Sequence, residues 1–370
     1  MFKRNSVHPE APVRALRVSA FQIPTDRPES DGTLEWHRTT IVIVEVSASG
    51  CTGLGYTYAD LATASLIDQH LRPCVLQADA MCVAGIWQRM VTSIRNLGRP
   101  GIASMAISAA DSALWDLKAR LLGVPLATLL GPVTASVPAY GSGGFTSYSL
   151  PELRQQLGGW AADGLRFVKM KVGRDPQRDP ERVQAAREAI GPHTRLFVDG
   201  NGGYTRKEAL QMAGAFAEYD VRWFEEPVSS DDLPGLRLLR DRAPAGMSIA
   251  AGEYGYDLPY FRRMLEAEAV DVLQADATRC GGVTGFLRAA ALAQAHCLPL
   301  SAHTAPTLHG NICCAIPGVQ HVEYFHDHHR IEQLLFDGAL RPRAGDLHPD
   351  FSRPGLGLSL KKSEAKKYAA

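Results

Sequence analysis

Arg166-Phe167-Val168-Lys169-Met170-Lys171-Val172-Gly173 is apolar and β-branched through its centre, apart from two lysines. The apolar run predicts a short buried strand that faces a core on both sides. A strand sends residues i and i+2 to one face, so Lys169 and Lys171 should stand side by side. Lysine is rarely buried unless paired. Two adjacent ammonium groups repel, which predicts a pKa pushed down towards neutrality and hence a usable general base. Taken alone, the stretch also fits an edge strand with two solvated lysines. Its surroundings decide.

Downstream and just upstream, strand-like cores recur near residues 137–140, 195–199, 222–225, 248–250, 272–275, 298–301 and 321–324. Amphipathic helical stretches such as 150–163, 178–190, 206–218 and 258–267 lie between most of them. With 166–172 this makes eight strands, the pattern of a (β/α)-barrel of about 200 residues. Further upstream the texture differs. Residues 15–23 read as a strand, and 24–38 as a polar, Pro/Gly-punctuated loop long enough to be functional. Residues 39–46 read as a second strand, and a turn over 47–53 leads to a third that ends near Gly55-Tyr56. Helical stretches then cover 59–71, 83–94 and 101–122. The expected layout is an α+β domain over 1–135, the barrel over 136–330, and a segment over 331–370. That last segment should be non-helical until Lys361 and return to the first domain.

Composition narrows the function classes. The chain has 370 residues, with 39 Lys+Arg against 39 Asp+Glu, so no net field favours nucleic acid or an anionic membrane. No apolar run approaches the length of a membrane span, and the polar N-terminus has no signal-peptide core. Seven scattered cysteines form no CxxC pair, which suggests reduced thiols. A cytoplasmic protein is expected.

In such a barrel the chemistry sits at the carboxyl ends of the strands. Three successive strands end in a carboxylate: Asp199 in Phe197-Val198-Asp199-Gly200-Asn201, Glu225 in Trp223-Phe224-Glu225-Glu226, and Glu253 in Ala251-Gly252-Glu253. Any one of these could be a helix cap or a solvated turn residue. Three converging at a barrel mouth would repel unless a cation holds them, and all-oxygen ligation points to Mg²⁺ rather than zinc or copper. The next two strands end at Asp276 and His303, which can pair so that the carboxylate fixes the imidazole tautomer and raises its basicity. Glu323 lies in the eighth strand. His326, His328 and His329, just beyond it, read as solvated loop residues rather than a metal cluster.

Together these residues resemble the enolase superfamily, and within it the mandelate-racemase-like subgroup. The resemblance runs from Ala113-Leu114-Trp115-Asp116-Leu117-Lys118 in the first domain through the barrel. It implies a modified (β/α)8 TIM barrel, of (β/α)7β type, capped by the α+β domain, and a homo-oligomer. Asp199, Glu225 and Glu253 would hold Mg²⁺. Lys171 would be a base on one face of the substrate, with Lys169 beside it, and the His303–Asp276 dyad would act on the other. Glu323 would hydrogen-bond the substrate carboxylate. Muconate-cycloisomerase-like relatives carry lysine where this chain has Asp276, which disfavours that subgroup.

Such a site removes the α-proton of a carboxylate substrate. Return of a proton from the opposite face gives racemisation or epimerisation, whereas loss of a β-hydroxyl gives a 2-keto-3-deoxy acid. Residues 24–38 offer mainly hydrogen-bonding groups, which suits a polyol acid better than a phenyl ring. The expectation is therefore an acid-sugar dehydratase, with a racemase of a 2-hydroxy or amino acid derivative as the alternative. A catalytically dead barrel should have lost a ligand or a base, and none is missing here. Candidate substrate-binding residues are Asn201, Arg27, His37 and Tyr56.

Overall fold

Gly53 and Gly55 show how the first domain holds together. In the computed structural model, which describes residues 11–370, β1 (Ala15–Ser30), β2 (Glu35–Ala48) and β3 (Cys51–Tyr58) form an antiparallel sheet in the order β1-β2-β3. Residues 1–10, part of the polar N-terminus, lie outside the described residues. The helix Ile102–Leu121 lies on this sheet so closely that a Cβ at Gly53 would sit 2.3 Å from the Ala113 carbonyl oxygen. At Gly55 it would sit 2.2 Å from that of Ala109. The alanine-rich face Ala106, Ala109, Ala110 and Ala113 is fully buried there. Small residues on both sides permit this backbone approach. Ser49 and Gly50, with φ of 47° and 79°, make the tight turn between β2 and β3, where both central residues need positive φ.

The expected loop over 24–38 is mostly strand. β1 continues to Ser30 and β2 begins at Glu35, paired as Pro24↔Arg38 and Glu29↔Trp36 across a bulge. The tip is an Asx turn in which Asp31 Oδ1 accepts from the Thr33 and Leu34 amides, each at 2.7 Å. This segment projects beyond the domain core. It therefore lacks the apolar alternation that marks a half-buried strand.

The barrel strands are β4 (Val137–Gly143), β5 (Phe167–Lys171), β6 (Arg195–Asp199), β7 (Val221–Glu225), β8 (Ser248–Ala251), β9 (Val272–Ala275), β10 (Leu300–Ala302) and β11 (Val319–Phe325). They pair in parallel in sequence order, and β11 closes on β4. Outward-facing Val168, Met170, Leu196 and Val198 pack against the surrounding helices. They share one core with Phe21, Ile23, Ile41, Ile43 and Tyr56 of the first domain. An aromatic cluster of Tyr140, Phe197 and Trp223 fills the barrel interior below the site.

The end of the chain departs from expectation. A helix spans His326–Leu335, so the segment after Ile331 opens helical. His326, His328 and His329 lie in this helix and are not solvated loop residues. His328 is buried and stacks on Tyr58 at 3.4 Å, and His329 stacks on Tyr324 at 4.2 Å. Farther on, Asp346–Leu347 pairs antiparallel with β4. The Leu356 amide donates to Asp116 Oδ1 at 2.5 Å, and Arg120 Nη2 donates to the Leu358 carbonyl at 2.7 Å. Among the described residues no helix is long and apolar enough to cross a membrane.

Candidate active site

A cavity of about 420 Å³ lies where the β1–β2 hairpin covers the mouth of the barrel. Gly32 at the hairpin tip makes this approach possible, since a Cβ there would sit 2.4 Å from the Gly200 carbonyl oxygen and 2.8 Å from that of Val172. Lys171, Asn201, Glu253, Asp276, His303 and Glu323 line the cavity from the barrel, and Asp31, Trp36, Arg38 and Tyr58 line it from the first domain.

The strand-end carboxylates converge. Asp199, Glu225 and Glu253 are buried, and each offers an oxygen within 4.8 Å of the others. Lys169 Nζ lies 2.5 Å from Glu225 Oε1, 2.9 Å from Glu323 Oε1 and 3.4 Å from Asp199 Oδ2. Lys171 Nζ donates to Asp199 Oδ2 at 2.5 Å. The other oxygens are largely held in place: Glu225 Oε2 accepts from Trp223 Nε1 at 2.9 Å, Asp199 Oδ1 from the Asn201 amide at 2.9 Å, and Glu253 Oε1 from Arg279 Nη1 at 3.1 Å. Glu253 Oε2 is buried and takes no hydrogen bond. A buried, all-oxygen set with an orphaned carboxylate oxygen fits a hard divalent cation.

These contacts correct the expectation for the lysines. Burial would lower both, but the surrounding carboxylates outweigh it. Glu225 and Glu323 hold Lys169 well above the ordinary lysine range, and Asp199 does the same for Lys171 despite the repulsion from Lys169. The carboxylates on nearby strands decide the sign.

On the other wall, His303 Nδ1 lies 2.9 Å from Asp276 Oδ2. A carboxylate accepts, so Nδ1 carries the proton and Nε2 is left towards the cavity. Nε2 is 3.3 Å from Glu253 Oε2. Burial would lower the imidazole, yet Glu253 and Asp276 raise it above its ordinary value. Asp276 Oδ1 accepts from the amide and hydroxyl of Thr278, each at 2.7 Å. Behind the pair, His309 accepts from the Ala277 amide at 2.9 Å through Nε2, and donates through Nδ1 to the Thr304 carbonyl at 2.7 Å. Glu323 Oε2 accepts from the Thr304 amide at 3.1 Å. Asn201, Glu226, Thr304 and Ala305, all next to these strand ends, have φ between 35° and 51°, a strained backbone of the kind that collects at functional sites.

Three expected substrate contacts do not reach the cavity. Tyr56 is fully buried and donates to Glu332 Oε1 at 2.6 Å. Arg27 pairs with Glu152 at 2.7 Å on the surface, and the His37 side chain is 73% exposed. Tyr58, Arg38 and Arg279 line the cavity instead. β3 runs two residues past the expected end, so Tyr58 shares the face of Tyr56 but lies nearer the mouth. Arg279 had a sequence signal, since it stands three residues after Asp276.

Comparison with known proteins agrees with this geometry. Residues 17–131 match the family described as mandelate racemase / muconate lactonizing enzyme, N-terminal domain, and residues 152–365 match the enolase C-terminal domain-like family. The chain belongs to the enolase superfamily, in its mandelate racemase subgroup. It is 36% identical over 94% of its length to a 3,6-anhydro-alpha-L-galactonate cycloisomerase of Streptomyces coelicolor, of which 97% is covered. A crystal structure of a mandelate racemase/muconate lactonizing enzyme-like protein from Rubrobacter xylanophilus is 57% identical, with a TM-score of 0.95 over 97% of this chain and 100% of that one. An L-talarate dehydratase from Polaromonas sp. JS666, complexed with Mg and L-glucarate, is 31% identical with a TM-score of 0.88, over 97% and 98% of the two chains. Further relatives are named as acid-sugar dehydratases.

Proposed function

We propose that this protein is a Mg²⁺-dependent enzyme that removes the α-proton of an acid sugar and expels the β-oxygen, giving a 2-keto-3-deoxy acid. The observation that carries this reading is the placement of Lys171 and His303. They stand on strands that are not neighbours, lining one cavity with the carboxylate triad beside both.

Asp199, Glu225 and Glu253 would hold the metal, which when bound supplies the positive charge that makes a proton next to a carboxylate acidic. Lys171 accepts a proton only where the charge of Asp199 is shared with another cation, so the lysine and the triad form one device. Lys169, pinned by Glu225 and Glu323, presents fixed positive charge where negative charge develops. On the opposite wall His303, as an imidazolium whose Nδ1–H is held by Asp276, is placed to deliver its Nε2 proton to the departing oxygen. Asp31, Arg38, Thr39, Thr40, Asp60 and Asn201 give the cavity a polar wall, which suits hydroxyl groups beyond C2. An aromatic acid would leave such groups without partners, at roughly 1–3 kcal/mol each.

The 36% identity to a cycloisomerase favours a second outcome at the same site. In an anhydro sugar acid the β-oxygen belongs to a ring ether, so its expulsion opens the ring without loss of water. Both outcomes yield a keto acid and use the same two residues.

The test is a screen of the purified protein with Mg²⁺ against acid sugars and anhydro sugar acids. Keto acids are trapped with semicarbazide, and mass spectrometry reports whether water was lost. Keto acid should form from one or a few of them, and Lys171→Ala and His303→Asn should each abolish it. Inversion at C2 with no keto acid would overturn the elimination reading in favour of a racemase.

A further inference from the structure

A second cluster of cation-binding groups lies outside the cavity, where the β1–β2 hairpin meets the helix His326–Leu335. Asp26, Glu29 and His326 each offer a ligand atom, all within 4.8 Å of one another. His326 Nε2 is 3.1 Å from Asp26 Oδ2 and 3.2 Å from Asp26 Oδ1. Adjacent ligands around a transition metal with bonds of ~2.1 Å stand roughly 3 Å apart, so this pair is already at bite distance.

Glu29 is the second and independent sign. Its side chain is 0% exposed, Oε2 accepts from Trp36 Nε1 at 2.8 Å, and Oε1 is buried with no partner. A carboxylate in that position is costly unless something positive meets it. The nearby guanidinium is engaged elsewhere, because Arg330 donates to Asp327 Oδ1 and to the Pro24 carbonyl. The cluster has a buried floor at Glu29 and an exposed entrance at Asp26.

We infer that Asp26, Glu29 and His326 form a binding site for a divalent transition cation, separate from the strand-end triad. The imidazole selects for zinc, manganese or cobalt over magnesium and calcium, which prefer oxygen alone. Such an ion ties the bulge of the hairpin to the residue after Phe325. Phe325 and Trp36 both line the cavity, and Trp36 also holds Glu29. The site thus clamps the hairpin over the barrel mouth.

Cobalt is the probe, because its visible spectrum reports a nitrogen-and-oxygen ligand set without any turnover. The full-length protein, metal-stripped and then saturated with Mg²⁺, is titrated with Co²⁺. One equivalent should bind with a d–d band. His326→Ala and Asp26→Asn should each weaken that binding at least about tenfold, and Asp26 is exposed enough for its variant to fold. Glu225→Gln should keep the band, which separates this site from the triad whatever the triad binds. Equal binding in wild type, His326→Ala and Asp26→Asn would overturn the inference, as would no binding at all. Loss of the band in Glu225→Gln alone would also overturn it, since the cobalt would then sit in the barrel.

Discussion

Tyr56 and Tyr58 stand two residues apart on one face of β3, and they do different work. Tyr58 stacks on His328 at the cavity wall, while Tyr56 reaches across to Glu332. Glu332 is fully buried, and its other oxygen accepts from the amide and hydroxyl of Thr307 at 3.0 and 2.6 Å. Burial outweighs these bonds and pushes the carboxyl from 4.5 up to about 7. The folded protein therefore holds a proton between pH about 4.5 and about 7 that the unfolded chain has released. Stability from this group falls as pH rises through that window, by up to about 3 kcal/mol, and is level above it. Glutamine keeps an acceptor for Thr307 and stays neutral. The Tm of Glu332→Gln relative to wild type should therefore rise between pH 5 and pH 7 and level off above that, as measured by calorimetry. A gap that does not change with pH would show that Glu332 is ionised throughout. No local pattern separates the two tyrosines, because alternation gives them the same face. Their depth depends on what the barrel brings against that face.

The β1–β2 hairpin is the element whose sequence is hardest to read. Its outer part carries charged and polar residues on both faces, since one side meets solvent and the other meets a polar cavity. A strand without a hydrophobic face has no period-2 signal, so residues 24–38 look like a loop. Pairing with β2 then sets which side chains turn inward. Arg38 lines the cavity, whereas Arg27 is held at the surface by Glu152 and His37 stays in solvent. A hydrogen bond to a charged group contributes about 1.5–3 kcal/mol. Arg38→Ala should thus raise KM for the preferred acid sugar about tenfold or more, while Arg27→Ala and His37→Ala change it less than about twofold. Steady-state kinetics on the three variants decides this, and a larger effect from Arg27 or His37 would mean that the hairpin sits differently over the substrate.

At the scale of the whole molecule, the triad collects ligands from three strands of one closed sheet, and binding to it should stabilise the fold. A ligand at about a hundred times its Kd contributes roughly 2.7 kcal/mol, so Mg²⁺ should raise Tm by roughly a few degrees. Glu225→Gln should remove that rise. An equal rise in both proteins would place the ion elsewhere. The barrel, its order and the strand-end residues Asp199, Glu225, Glu253, Asp276 and His303 were all readable from the chain, because each follows a short apolar run whose end is a local property. The hairpin, the helix that buries His328, the choice of Tyr58 over Tyr56 and the charge on the two lysines were not. Those depend on Asp199 from the paired strand β6, and Glu225 and Glu323 from strands farther round the barrel, meeting Lys169 and Lys171, and on a sheet edge lying over its mouth. A sequence states where a side chain sits along its own strand. The field it feels is summed over groups that strand pairing and closure of the barrel bring within a few ångströms.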